Sequence, residues 1–243
     1  MAGFASPAAA GRIQVGYSTS SYGPFQSGTG GEFTYNDVTV SGSTVTDSDW
    51  LDKSDYHASA SGFGGVSSFQ TFCIETTEVL NGYNATYNAT INPAGAVNGG
   101  YSGGNPDPVS QGTGWLYSQF AKGTLDGYNY TAGTAPEITA RKTSASLLQN
   151  TIWWLEGEKH VGGDTNPFGT EVNRIFGFDV LGNAKAKLNG GGNYGVYAIN
   201  MRKLNGSVAQ DGLFYSVPDG GNTLMLVGGV LVGVGVLRRR FNW

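Results

Sequence analysis

The sequence predicts a strand-rich α+β protein, a barrel or sandwich body with two or three helices, followed by one C-terminal transmembrane helix. Glycine contributes 40 of the 243 residues, and charged residues contribute 13 %, roughly half of the ~25 % in an average protein. This composition is typical of short strands joined by many turns. Hydrophobic residues at 39 % and aromatic residues at 12 % supply a core. A charge-free apolar run near the C-terminus predicts the transmembrane helix.

The first ten residues suit an exported protein. They end in Ala8-Ala9-Ala10, the small-residue pattern that precedes signal-peptide cleavage, but they have neither a basic start nor an apolar stretch. We therefore interpret residues 1–10 as the remnant of a longer signal peptide. A flexible, alanine-rich N-terminus is the open alternative. Residues 11–216 are then one extracytoplasmic domain, and residues 217–243 form a separate C-terminal segment.

Strands are predicted in the first third and at the end of the domain. Residues 31–45 alternate apolar and polar side chains between Gly and Ser turns. Residues 194–204 and 207–217 flank Asn205-Gly206, the pair favoured in a type I′ hairpin. Residues 92–112 contain three prolines and are predicted to form a long loop.

Three segments have helical patterns. Residues 113–121 form the first, and residues 143–158 form the second, with Ser144 as its N-cap and an apolar stripe that includes Leu148 and Ile152. Residues 167–188 indicate a third helix, which its internal glycines interrupt.

The C-terminal segment combines a polar turn, an apolar run and a basic end. Residues 223–237 are 15 residues without a charge, and Arg238, Arg239 and Arg240 follow them. As a helix the run would be about 22 Å long. That is shorter than the ~30 Å hydrocarbon core, although extension back to Gly221 and arginine snorkelling both lengthen the span. A helix or strand buried in the domain core is the alternative.

The turn in this segment is Val217-Pro218-Asp219-Gly220-Gly221. Turn, glycine-rich apolar helix and arginine cluster together resemble the PEP-CTERM class of bacterial sorting signals, with the VPDSG-CTERM variant closest. Gly220 departs from that variant, which has Ser there. The resemblance implies an exosortase-type sorting protease as a partner. It also implies anchoring in the inner membrane before processing, and the cell surface or extracellular matrix afterwards.

Cys73 is the only cysteine, so an internal disulfide is excluded. Its neighbours Phe72 and Ile74 are apolar, which suits a small residue of the core. Phe72-Cys73-Ile74 also resembles the Cys motif of bacterial surface thioester domains. Leu148 to Trp153, with Gln149 second, resembles their Gln motif, 76 positions after the cysteine. Many PEP-CTERM-type surface proteins have a body similar to these two motifs, and Trp154 to Glu158 lengthen that match after the Gln motif. The resemblance covers residues 69–217.

In that family the Cys and Gln side chains join in an internal thioester. The resemblance therefore implies a Cys73–Gln149 thioester in a pocket of Phe72, Ile74, Trp153 and Trp154. An amine or hydroxyl of a surface or matrix polymer would attack it, which makes the protein a single-turnover adhesin and not an enzyme. The alternative is a non-covalent carbohydrate- or matrix-binding protein, or a structural envelope protein, because Tyr-rich and Asn-rich surfaces suit sugars.

Other chemistry has little support. The net charge of −4 and the pI of about 5.1 argue against a nucleic-acid partner. His57 and His160 are the only histidines, so a zinc site is not expected, and Cys73–His160 matches no cysteine-protease signature. The acidic residues at 47–55 lack the EF-hand spacing. We therefore predict no metal site and no cofactor.

Overall fold

The computed structural model describes residues 10–16, 20–37, 39–40, 43–44, 68–97, 100–101, 104–158, 162–177 and 194–215. Five features singled out in the sequence lie outside these ranges. They are residues 1–9, the acidic segment at 47–55, both histidines, residues 178–188 of the predicted third helix, and the whole C-terminal segment with its turn at 217–221, its apolar run and its arginines.

Within the described ranges, ten strands form one large antiparallel sheet and two small hairpins. The large sheet has six strands in the order β10-β9-β8-β1-β4-β7, and β2 pairs with β3, and β5 with β6. The strands are β1 (Ala10–Val15), β2 (Gln26–Ser27), β3 (Gly30–Gly31), β4 (Phe33–Asp37), β5 (Thr39–Val40), β6 (Ser43–Thr44), β7 (Ser68–Thr71), β8 (Ala85–Asn92), β9 (Val196–Lys203) and β10 (Val208–Tyr215).

The large sheet curls until its two outer strands, β7 and β10, come together. Cys73, just after β7, forms an antiparallel bridge with Gly212 in β10. The Ile74 N–H donates to the Asp211 carbonyl at 3.1 Å. A Cβ atom at Gly212 would lie 2.9 Å from the Tyr35 hydroxyl, so any side chain at this position would force Tyr35 or the strand to shift. The result is a half-barrel. We call the line along which β7 and β10 meet the seam, and Cys73 lies on it.

The described part of the chain has three helices: α1 (Gln111–Ala121), α2 (Ala135–Glu156) and α3 (Pro167–Phe176). Helix α1 packs against β9 and β10 of the large sheet, α2 packs against the β2–β3 hairpin and α1, and α3 packs against the other two helices. Helix α2 begins before its predicted start at residue 143, because Thr134 and Glu137 already form its first turn: the Glu137 carboxylate accepts from the Thr134 N–H at 2.7 Å. Ser144 is therefore inside the helix, where its hydroxyl accepts from the Asn129 N–H at 3.2 Å. Its predicted capping role was wrong.

The C-terminal hairpin is also closed differently from the prediction. Of Asn205 and Gly206, only Gly206 has a positive φ, 87°. The Gly206 N–H donates to the Lys203 carbonyl at 2.8 Å, and the Lys203 N–H donates to the Ser207 carbonyl at 2.8 Å. This is a type I turn followed by a left-handed glycine, and not the type I′ turn that the residue pair favours.

The mixed, strand-rich α+β class predicted from composition is confirmed, with three helices and a curled antiparallel sheet in the described part of the chain. Within that part, none of the helices combines the length and the hydrophobicity needed to cross a bilayer. The core lies between the concave sheet and the helices. Phe72 after β7 and Phe120 of α1 meet there edge to face, with ring centroids 4.9 Å apart.

Candidate functional site

The structure brings the side chain of Gln149 onto the backbone of Cys73. The Cys73 N–H donates to Gln149 Oε1 at 3.0 Å, and Gln149 Nε2 donates to the Cys73 carbonyl at 2.8 Å. A backbone N–H needs an acceptor and a carbonyl needs a donor, so these two bonds settle the orientation of the amide. Both residues are buried, with 3 % of Cys73 and 1 % of Gln149 exposed. The amide carbon therefore lies directly beside the residue that carries the thiol.

Helix α2 fixes Gln149 from one side. Leu148 and Ile152 of this helix are fully buried in the core, so the helix cannot rotate without exposing them. Gln149 then faces the seam of the half-barrel. Trp153, one turn later, lies beside it on the same face.

The hairpin of β2 and β3 covers Gln149 from the other side. At Gly30 a Cβ would lie 2.6 Å from Gln149 Cγ and 2.8 Å from the Trp153 ring. Glycine is required here by close approach and not by backbone conformation. We call residues 26–31 the covering hairpin.

Arg141, near the start of α2, holds both ends of the covering hairpin. Its Nε and Nη2 donate to the two carboxylate oxygens of Glu32 at 2.8 and 2.9 Å. Its guanidinium also lies over the Phe25 ring, 3.8 Å from the centroid. The Tyr128 hydroxyl donates to the same carboxylate. This buried ion pair positions the hairpin above Gln149.

A cleft of about 350 Å³ opens beside the pair, and Cys73 and Trp153 line it. A second cleft of about 240 Å³ lies between the covering hairpin and α2, where Gln149 and Asn150 line it. Cys73 and Gln149 thus line different clefts, and Trp153 lines both of them. A small molecule in the first cleft would meet Cys73, beside aromatic walls that include Tyr22 and Phe33.

The electrostatics of the first cleft disfavour a thiolate. Burial raises the pKa of the Cys73 thiol, and the carboxylate of Glu78 raises it further. Burial, followed by the charge of Glu78, also raises the pKa of Glu75 to about 10. The pKa of Asp211 is raised well above its ordinary value, chiefly by burial. The resting thiol is therefore neutral, and any reaction at sulfur has to remove its proton as the new bond forms.

The residues predicted to form the pocket are divided by the fold. Trp153 lines the cleft with Cys73. Phe72 faces the core against α1, and Ile74 is fully buried at the seam. Trp154 is half-buried and touches the chain at Gly163, where a Cβ would lie 2.5 Å from the Trp154 Cβ.

Glu158 and a cluster of three other acidic residues have positions that the sequence did not predict. Glu158 accepts from the Thr76 N–H at 3.0 Å and from the Tyr101 N–H at 2.7 Å, so it ties two loops together. Glu75, Glu78 and Asp211 place carboxylate oxygens within 4.8 Å of one another. The spacing Cys73-x-Glu75-x-x-Glu78 is a visible signal, but its third member comes from β10, more than 130 positions later, through the seam.

Comparisons of this chain with protein-family models, with curated proteins and with solved structures gave no match. The geometry of the site and the sequence motifs are therefore the observations on which a function can be argued.

Proposed function

We propose that this chain is an exported bacterial surface protein that attaches covalently to its target through a thioester between Cys73 and Gln149. The observation that carries the proposal is the two-point hydrogen bonding of the Gln149 amide to the Cys73 backbone, at 3.0 and 2.8 Å. An amide held this way beside a thiol is positioned for an intramolecular reaction, which gains from prepaid entropy.

The bond-forming step is balanced within the pair. The Cys73 sulfur attacks the amide carbon of Gln149, the C–N bond breaks, and the thiol proton leaves with the nitrogen as ammonia. The Cys73 N–H already donates to Gln149 Oε1, so it stabilises the negative charge that develops on that oxygen. The thiol and the amide are consumed, and neither an oxidant nor a cofactor is needed.

The thioester would then react with a nucleophile from outside. An amine or hydroxyl on a surface or matrix polymer attacks the acyl carbon of Gln149, forms an amide or ester, and releases the Cys73 thiol. The cleft of about 350 Å³ gives this nucleophile a path to Cys73. Burial of both residues limits the access of water to the bond before the target arrives. Each molecule reacts once, as an adhesin and not as an enzyme.

Export and surface location rest on the C-terminal segment. Val217 to Gly221 would be the turn recognised by an exosortase-type protease. Residues 223–237 would span the inner membrane until processing, with Arg238, Arg239 and Arg240 on the cytoplasmic side.

The second candidate function is non-covalent binding of a carbohydrate or matrix polymer. It is favoured by the mixed lining of the same cleft, where the half-buried Tyr22 offers a ring for stacking and the half-buried Gln26 offers an amide. Cys73→Ser separates the two functions. It abolishes covalent attachment, but it leaves non-covalent binding to cells or polymer unchanged.

The test is the intact mass of the folded, full-length protein. The proposal predicts that the wild-type mass is one ammonia lower than the mass expected from the Cys73→Ser variant, after correction for the substituted atom. Methylamine should add to the wild-type protein and abolish this deficit. Gln149→Ala should have no deficit, whereas Gln210→Ala, which removes a different buried glutamine that lines the Cys73 cleft, should retain it. A full-mass wild-type protein with one titratable thiol in the native state would contradict the proposal.

A further inference from the structure

We propose that Glu75, Glu78 and Asp211 bind a calcium ion at the wall of the Cys73 cleft. One carboxylate oxygen from each residue lies within 4.8 Å of the other two. Two oxygens that each lie 2.3–2.6 Å from calcium can be at most about 5 Å apart, so the three oxygens can share one ion. The site does not depend on whether the thioester forms.

The seam of the half-barrel places these residues together. The Ile74 N–H donates to the Asp211 carbonyl at 3.1 Å, and the Asp211 N–H donates to Glu78 Oε2 at 3.3 Å. The Asp211 carboxylate is itself fixed, because its two oxygens accept from the Met201 and Val97 N–H groups, each at 2.9 Å. Backbone donors of this kind orient a metal ligand and leave further lone pairs on both oxygens.

Glu75 indicates that the cluster has a ligand. Its side chain is buried, with the residue 1 % exposed, and its carboxyl group lies beside that of Glu78. Among the residues that the structure describes, no N–H group and no serine, threonine or tyrosine hydroxyl donates to either of its oxygens. A buried carboxyl group without such donors is costly. It lies beside two further carboxyl groups, where a cation would satisfy all three at once.

The donor set favours calcium over other cations. All three residues offer hard oxygen atoms, which suit Ca²⁺ and Mg²⁺ rather than zinc or copper. Calcium accepts six to eight oxygens in flexible geometry, whereas magnesium demands a tight octahedron. Glu78 is half-buried and lines the cleft, so water can complete the coordination from that side.

The experiment is titration of the folded, full-length protein with Ca²⁺ by calorimetry, and with Tb³⁺ by luminescence excited through tryptophan, since Trp153 lines the same cleft. We expect one ion per chain and a thermal midpoint that rises with Ca²⁺. Glu78→Gln, at a half-buried position, should weaken calcium binding by about tenfold or more. A loss of that size is already seen when residues that only orient the metal ligands are changed, so the loss of a ligand should be at least as large.

Two controls keep the test decisive. Glu171→Gln removes a carboxylate on α3 that pairs with Arg174, and it should bind like the wild type. Cys73→Ala should also bind calcium, which separates failure of this site from failure of the thioester. The proposal is overturned if the folded wild-type protein binds no calcium at millimolar concentration, or if Glu78→Gln and Asp211→Asn, both folded by circular dichroism, bind it as tightly as the wild type.

Discussion

Gly30→Ala tests whether the covering hairpin positions Gln149. The new methyl group would lie 2.6 Å from Gln149 Cγ and 2.8 Å from the Trp153 ring, where ordinary contacts begin at 3.4 Å. Either the hairpin or the glutamine has to move by about 0.8 Å, which is 3.4 minus 2.6. Trp153 is buried and cannot give way easily. Such overpacking costs about 1–3 kcal/mol.

Urea unfolding and the intact mass measure the two consequences together. We expect a loss of stability in that range and a slower or incomplete loss of ammonia, because the amide carbon is displaced from Cys73. Gly28→Asn is the matched control in the same hairpin. Its position has nothing within 4 Å and a φ of +60°, which Asn tolerates. If Gly30→Ala kept wild-type stability and the full mass deficit, the hairpin would have no positioning role.

Three further predictions concern the scaffold around the site. Arg141→Met leaves the carboxylate of Glu32 buried without its cation and should lower the free energy of unfolding at pH 7 by about 3–5 kcal/mol. Adding Glu32→Leu to Arg141→Met should recover much of this loss. Urea unfolding of the single and double variants measures both effects, and a double variant that is no more stable than the single one would contradict the prediction. Burial raises the pKa of Glu32 and Arg141 lowers it, so Arg141→Met should raise that pKa further, and the folded variant should bind a proton at Glu32 more readily than the wild type. The loss of stability caused by Arg141→Met should therefore shrink from pH 7 to pH 5, and a loss independent of pH would refute this. Asn166→Ala removes an acceptor that receives the Phe168 and Gly169 N–H groups, at 2.9 and 3.1 Å, and should lower the thermal midpoint by the equivalent of about 1–2 kcal/mol, whereas Asn166→Asp, which keeps the acceptor, should lose less.

Local patterns predicted much of the helical side of the site. The apolar stripe through Leu148 and Ile152 placed Gln149 on a helix that packs into the core, and the structure has that arrangement. The same pattern missed the first two turns of α2, because they contain Arg141 and no apolar stripe. Arg141 is buried there by an ion pair with a residue 109 positions away, which periodicity cannot reveal.

The parts that the sequence could not predict depend on contacts between distant segments. Gly30 looks like one glycine among 40, and only its approach to Gln149 distinguishes it. Asp211 comes to Glu75 and Glu78 through the bridge between Cys73 and Gly212. A strand register of this kind is set by the curl of the whole sheet.

The most direct test of the proposed attachment chemistry is peptide mapping of the folded protein at acidic pH, where a thioester survives digestion with pepsin. The proposal predicts one linked species in which a peptide containing Cys73 is joined to a peptide containing Gln149, one ammonia lighter than the two together. Methylamine treatment should separate them and leave the amine on Gln149. Two unlinked peptides, one with a free thiol at Cys73 and one with an intact amide at Gln149, would contradict it.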